Sequence, residues 1–412
     1  MRPETCLSRG AGGRRSSGES LVELNRILLN RRAAGGTADT GIAVLLSYEL
    51  FDLPAERSGG PTALPELLAL RVDRSVRFDA AAPATLNVHD PATAVRERDR
   101  LLALAAAEPA QDFVTDAARS VGPPKTSLPR GRYLRAAEQV IRHIARGDIY
   151  QANLCQCFET GYRGDELALY RRLREDTPAP RSAFLETEQF ALVSLSPEAF
   201  LSLTPPDLIE TFPIKGTRPR QRNAEADRAA ARELLASAKD RAELLMIVDL
   251  ERNDLGRICC TATVRTHELA ALRSFPAVHH LVAHIEGRLR PDTGVDEMLR
   301  ATFPGGSITG APKLRAMEIL RSLEPARRHY FTGSLFWFGD DGSFDSSILI
   351  RTVILSKNPS RDRTEDVARG RALLGAGGGI VADSDPLSEW HESNHKARAL
   401  ALGLGFDPEE AV

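Results

Sequence analysis

At 412 residues, with 42% hydrophobic and 27% charged side chains, the chain can bury a sizeable core, which excludes wholesale disorder. A formal net charge of −2 and the lack of a basic stripe interleaved with aromatics argue against a nucleic-acid partner. No apolar run approaches the ~18 residues of a membrane helix. The five cysteines (Cys6, Cys155, Cys157, Cys259 and Cys260) are odd in number and form no CxxC pair, which fits a reducing cytoplasm and neither a disulfide framework nor a zinc ribbon.

Residues 1–20 are basic and Ser/Gly-rich without the apolar segment of a secretory signal, and are expected to be disordered. Residues 21–125 carry weak patterns: apolar alternation from Ile42 to Tyr48 and an Ala-rich helical piece from Ala92 to Ala107. Within and beyond them, 108–130 is rich in Pro, Asp and Gly and reads as a linker. Sharper signals fill 126–405. Tyr133, Ala137, Val140, Ile141 and Ile144 recur at helical spacing, with Gly147 placed to end the helix. Residues 149–158 then alternate, with Tyr150, Ala152, Leu154 and Phe158 on an apolar face and Gln151 and Asn153 on the other, pointing into a cleft or to solvent. Strands are expected at 189–194, 198–203 and 208–214, and helices at 223–238 and 240–255. A Gly-rich loop, 304–310, leads into a helix opened by Ala311-Pro312. Strands around 333–338, 347–355 and 377–382 precede a last helix with Asp385 at its N-cap and Pro386 at its first position. Runs of strands separated by single helices, without a βαβα rhythm, indicate an α+β fold with antiparallel sheets.

Several residues carry possible chemistry. Lys215, in Thr211-Phe212-Pro213-Ile214-Lys215-Gly216-Thr217, is either a solvated surface amine or, if desolvated, a nucleophile. On the last helix, Glu389, Glu392 and Lys396 share one face by their spacing. They are either a solvated Glu–Lys face or a carboxylate pair for Mg²⁺ beside a lysine for an anion. The run His391-Glu392-Ser393-Asn394-His395 matches H-E-x-x-H literally, but the histidines lie roughly 110° around the helix from the other face. The only later acids, Asp407, Glu409 and Glu410, fall in a tail expected to fray. The 304–310 loop suits an anion but is neither a GxxxxGK[ST] nor a GxGxxG motif. Gly375-Ala376-Gly377-Gly378-Gly379 either lets backbone approach a ligand or is a flexible turn. No G-x-S-x-G or G-x-C-x-G elbow supports an acyl-enzyme.

The stretches GDIYQANLCQ, SPEAFL, IETFPIKGTRPR, AELLMIVDLERNDLGR, FPAVHHLV, FPGGSITGAPKLRAMEIL, SILIRTVI and GAGGGIVADSDPLSEWHESNHKA, in this order over roughly 130–400, resemble the chorismate-utilising enzymes. The resemblance is nearest to the branch that aminates chorismate at C4. It implies a single large α+β domain of two antiparallel sheets packed as a sandwich and flanked by helices, like anthranilate synthase component I. The region 21–125, poorly matched apart from 46–50, is expected to contribute to that sandwich, and 126–405 to be the chorismate-binding catalytic region.

Carried over residue by residue, the resemblance implies Mg²⁺ held by Glu243 and Glu392, and Arg351 as a carboxylate clamp with Lys396 as a second anion site. It implies Glu198 as the general acid that helps expel the C4 hydroxyl. Gln151, Thr217, His280, Gly377, Gly378 and Gly379 match substrate-lining positions. Lys215 stands where the anthranilate-forming branch, the nearest alternative, usually has Ala, and implies attack of its amine on C2. Gln151 stands where isochorismate-forming relatives have a lysine that activates water, so ammonia is the expected nucleophile. No glutaminase elbow occurs in the chain, and ammonia is therefore expected from a glutamine amidotransferase subunit. The product, 4-amino-4-deoxychorismate, leads to p-aminobenzoate and folate. Phe331 departs from the pattern, since several relatives have a Tyr there that touches the pyruvyl carboxylate.

Overall fold

A computed structural model describes residues 6–8, 17–51, 64–79, 82–88, 91–106, 116–275, 278–357 and 370–411. Two large antiparallel sheets organise it. The ten-stranded sheet runs Cys6–Ser8, Leu67–Val72, Gly41–Leu46, Ser334–Gly339, Phe344–Ile348, Ala199–Thr204, Leu208–Thr211, Val278–Arg288, Ile214–Pro219, with Arg265–Ser274 also paired to Val278–Arg288. The seven-stranded sheet runs Gly310–Ala311, Gln151–Arg163, Gly370–Ile380, Thr352–Lys357, Phe190–Ser196, Arg181–Glu186, with Arg119–Thr126 paired to Gln151–Arg163. This is the expected α+β sandwich. No helix among the described residues is long and apolar enough to cross a membrane.

Several strands read as nearly unbroken apolar runs because both of their faces are covered. Along Phe190–Ser196, Phe190 and Leu192 meet Leu45, Leu68 and Ile354 in an apolar layer between the sheets. The intervening Ala191, Val193 and Leu195 face the other way, onto Leu169, Leu400 and Leu404 of flanking helices. The strand Gly41–Leu46 behaves alike: Leu45 joins the inter-sheet layer, while Val44 and Leu46 pack with Leu24, Leu244, Val248 and Leu299 on the helical side. The order of layers is therefore helix, sheet, sheet, helix.

The chain passes between the sheets at two neighbouring places. Phe190–Ser196 and Ala199–Thr204 belong to different sheets, as do Phe344–Ile348 and Thr352–Lys357. The expected single strand at 347–355 is thus two strands, because a sheet change at Leu349–Arg351 interrupts it. The crossings are bonded together: the Ile348 amide donates to the Glu198 carbonyl at 3.1 Å, the Leu195 amide to the Arg351 carbonyl at 3.0 Å, and Ser196 Oγ to the Ile348 carbonyl at 2.6 Å. Arg351 adopts φ 49°, a left-handed conformation uncommon for a non-glycine residue.

Other expectations need correction. Arg119–Thr126, expected within a linker, is an edge strand whose Pro123 and Pro124 are tolerated there because an edge leaves donors unused. The expected disordered start contains the strand Cys6–Ser8 and the beginning of the helix Ser17–Ala34. Tyr150, expected on the apolar face, is 71% exposed, since it precedes the strand Gln151–Arg163. The last helix, Pro386–Leu404, starts as expected: Asp385 caps it by accepting from the Ser388 amide at 2.8 Å. The tail expected to fray forms the short turn Pro408–Glu410, capped by Asp407.

Candidate active site

The strand Ile214–Pro219 carries Lys215 next to Gly216, whose φ of +68° and contact with Leu234, 2.8 Å from a would-be Cβ, exclude a larger residue. The ladder shifts register between Lys215 and Thr217, which re-aims the side chains on either side of the bulge. Lys215 is partly buried, and burial lowers its amine pKa below the ordinary lysine value. The carboxylates of Glu243, Glu198 and Glu392 oppose that shift, while Lys396 adds to it. Side chains from three other parts of the fold thereby share one electrostatic environment with this amine.

Glu198, at the first sheet crossing, is 6% exposed, and burial raises its pKa. The Ser307 hydroxyl, from the buried 304–310 loop, and the charges of Lys215 and Lys396 act against the rise. The Glu198 carboxyl keeps one buried oxygen, Oε1, without a hydrogen-bond partner. A carboxyl in that state is suited to hold a proton for delivery.

Two helices supply the carboxylates. Glu243 lies on Ala238–Gly256, 4.0 Å from Lys239 Nζ; burial raises its pKa, and Glu392 adds to the rise as a like charge. Glu389 and Glu392 lie on Pro386–Leu404. Glu389 is buried and accepts from Ser384 Oγ at 2.6 Å; Glu392 pairs with Lys396 Nζ at 2.7 Å, which lowers its pKa. These groups close around Gly378, where a Cβ would stand 3.2 Å from Glu389 Oε2, 3.8 Å from Glu392 Oε1 and 3.8 Å from Lys396 Nζ. Lys396 Nζ also donates to the Gly377 carbonyl at 3.2 Å. At Gly379 a Cβ would meet Gln151 Nε2 at 2.3 Å. The Gly-rich run is thus a regular part of the strand Gly370–Ile380, left bare so that side chains from the facing helix and strand can reach its backbone. The hard-oxygen donors Glu243, Glu389 and Glu392, on two helices, fit Mg²⁺ chemically.

A second group adjoins. His280 Nδ1 lies 3.2 Å from the Gly216 carbonyl and 3.0 Å from Thr217 Oγ1. A carbonyl can only accept, so Nδ1 carries the proton and Nε2, buried and unpartnered, is left as an acceptor. Burial lowers the His280 pKa, and the Arg351 charge lowers it further. Arg351 has no acidic partner among the described residues, and desolvation lowers its pKa. Thr217 itself is exposed, and its contact is with His280. Phe331 packs its ring over Gly375, 2.1 Å from a would-be Cβ, so no hydroxyl is offered there.

Gln151 Oε1 and His280 Nε2 are buried without partners, and Glu198 Oε1 has none within hydrogen-bond distance. Such orphans are costly in a folded protein and concentrate where a polar ligand completes them. Residues 8–402 match the family described as chorismate binding enzyme. The chain belongs to the chorismate-binding enzymes. It is 45% identical to aminodeoxychorismate synthase component 1 of Salmonella typhimurium over 276 residues, 67% of this chain and 58% of that one. It is 40% identical to anthranilate synthase component 1 of Methanothermobacter thermautotrophicus over 297 residues, 71% of this chain and 61% of that one. Anthranilate synthase component I from Streptococcus pneumoniae superposes with a TM-score of 0.80 at 25% identity, covering 97% of this chain and 91% of that one. The aligned part spans only 56–59% of the length of four aminodeoxychorismate synthase component 1 relatives.

For a chorismate-binding enzyme, the sequence singled out Lys215, Glu198, Glu243, Glu392, Lys396 and Gly377–Gly379, and the structure brings them together; Arg351, His280 and Thr217 form the adjoining group. Four residues escaped the sequence reading. Ser307 sat in a loop valued only for its backbone, and Lys239 and Asp240 had only their place within four residues of Glu243 to mark them. Glu251, two turns beyond Glu243, is 8% exposed, and burial raises its pKa to about 8. The histidines of the H-E-x-x-H run stay outside the cleft: both are exposed, and His391 Nδ1 meets Glu409 at 3.4 Å.

Proposed function

We infer that this chain aminates chorismate at C4, giving 4-amino-4-deoxychorismate for p-aminobenzoate and folate synthesis, with ammonia supplied by a separate glutamine amidotransferase subunit. The single observation that carries this reading is Lys215, a partly buried amine of lowered pKa that shares its environment with the proton-holding Glu198. Relatives at 40–45% identity are named for both the aminodeoxychorismate and the anthranilate reactions, so likeness alone does not separate the two products.

In the proposed sequence the neutral Lys215 amine attacks C2 of chorismate. The ring double bonds shift, and the C4 hydroxyl leaves as water with the proton of Glu198. Ammonia then bonds to C4, the electron shift reverses, and the C2–nitrogen bond to Lys215 breaks, which restores the amine. Arg351 is shaped to clamp a carboxylate with its guanidinium fork, and Lys396 adds a second cation. His280 Nε2 and the Gln151 amide offer polar contacts to the substrate. Glu243, Glu389 and Glu392 would hold Mg²⁺, which when bound neutralises and fixes the ring carboxylate.

The test is product analysis on chorismate with Mg²⁺ and ammonium. The wild-type chain is expected to yield 4-amino-4-deoxychorismate, which an added lyase converts to p-aminobenzoate. The Lys215→Ala variant is expected to lose or divert that amination. Fluorescent anthranilate as the wild-type product, or full amination by Lys215→Ala, overturns the reading.

A further inference from the structure

The ten-stranded sheet carries a second concentration of ligating side chains. Glu210 and Glu286 are directly opposed across the ladder of Leu208–Thr211 and Val278–Arg288. His284 lies two residues before Glu286, on the same face of that strand. One ligand atom from each of Glu210, His284 and Glu286 lies within 4.8 Å of the others. His284 Nε2 is 2.9 Å from Glu210 Oε1, and His267, on the neighbouring strand Arg265–Ser274, sets its Nε2 2.8 Å from Glu286 Oε1. The intervening Leu281, Ala283 and Ile285 face the core, so the cluster occupies the opposite face. Its side chains are between 20% and 45% exposed, open enough to admit an ion.

Two histidine–carboxylate pairs on a surface would need no further explanation, but this geometry has two features such pairs lack. Like charges directly opposed in an antiparallel ladder destabilise the pairing unless a cation lies between them. The His284 ring is also fixed on both sides, stacked on Phe212 at 4.6 Å and 15° and packed against His267 at 5.1 Å. A fixed imidazole loses little freedom when it ligates.

We propose that Glu210, His284 and Glu286 bind one divalent transition ion of the Zn²⁺ class, with His267 holding Glu286 from behind. A mixed imidazole and carboxylate set favours such an ion over Mg²⁺ or Ca²⁺, which prefer oxygen alone. Three protein ligands leave room for water in the remaining position. The outer histidine orients its carboxylate as second partners of metal ligands do. The ion would tie Leu208–Thr211 to Val278–Arg288, the strand against which the Lys215 strand is paired.

The experiment is calorimetric titration of the chelator-stripped full chain with Zn²⁺ in excess Mg²⁺, which occupies the cleft carboxylates. One Zn²⁺ per chain is expected, with a dissociation constant of roughly micromolar or tighter and a melting temperature that rises as the site fills. The near-isosteric Glu210→Gln/Glu286→Gln variant, shown folded by circular dichroism, should bind roughly tenfold or more weakly. His391→Ala, on the last helix, should bind as the wild type does. No saturable binding, equal binding by the double variant, or loss of binding in His391→Ala overturns the proposal.

Discussion

Replacing Glu251 by Gln should stabilise the protein, and by an amount that grows with pH. Thr211 Oγ1 lies 2.7 Å from the Phe200 carbonyl and 2.9 Å from Glu251 Oε2. The hydroxyl has one proton, and the carbonyl can only accept it. The Glu251 contact is then best satisfied when the carboxyl is itself a donor, in agreement with a pKa raised to about 8 by burial. In the unfolded chain the same group titrates near the ordinary glutamate value, about 4.3. Between those two values the folded protein binds the extra proton, so this group makes stability fall as pH rises. The slope is about 1.4 kcal/mol per pH unit, or about 3 kcal/mol between about pH 5 and about pH 7.5. A glutamine has no charge to desolvate, and its amide donates to Thr211 in place of the acid. Urea unfolding of both proteins across that range should give a difference that moves by about 3 kcal/mol in favour of the variant from the acid end to the alkaline end. Glu198 and Asp254 titrate in both proteins and their charges add to the Glu251 shift, so the difference reports Glu251 together with its coupling to them. A difference that does not change with pH would refute the reasoning.

Lys313 Nζ sits 2.5 Å from Asp254 Oδ2, with side chains 12% and 8% exposed. Lys313→Met should therefore cost about 3–5 kcal/mol by stranding a buried carboxylate, read as a lower urea midpoint. In Glu243→Gln and Glu392→Gln, turnover and its Mg²⁺ dependence should fall together, and unchanged turnover without metal in either variant would remove that residue from the ligand set. Gly378→Ala places a methyl 3.2 Å from Glu389 Oε2; it should reduce turnover roughly tenfold or more while leaving the melting temperature within a few degrees. Retained turnover would mean that the space over Gly378 is not where substrate or metal binds.

The start of the last helix was legible because Asp385 and Pro386 each obey a local rule of backbone conformation that needs no tertiary partner. Lys215 could be singled out by resemblance, but its lowered pKa depends on burial, and secondarily on the charge of Lys396, which only the folded chain supplies. The sheet crossings were hidden for a different reason. Strands covered on both faces lose their alternation, so nothing in Ser347 to Leu355 marked where one strand stopped and the next began. Arg119–Thr126 was misread because two prolines suit an edge strand and a linker equally well. Glu251 had no signal at all: on a helix rich in acids, a buried carboxyl and a solvated one are spelled alike.

Glu198 and Arg351 each occupy the few residues in which the backbone steps from one layer to the other, and the two steps are bonded to one another. The separation between the Glu198 carboxyl and the Arg351 guanidinium is therefore set by how the two layers register. It works as a pivot does, carrying any slip of one layer over the other directly to both side chains. Leu45, Phe190, Leu192, Tyr330 and Ile354, which fill the space between the layers, thus help set the spacing of Glu198 and Arg351 from a distance.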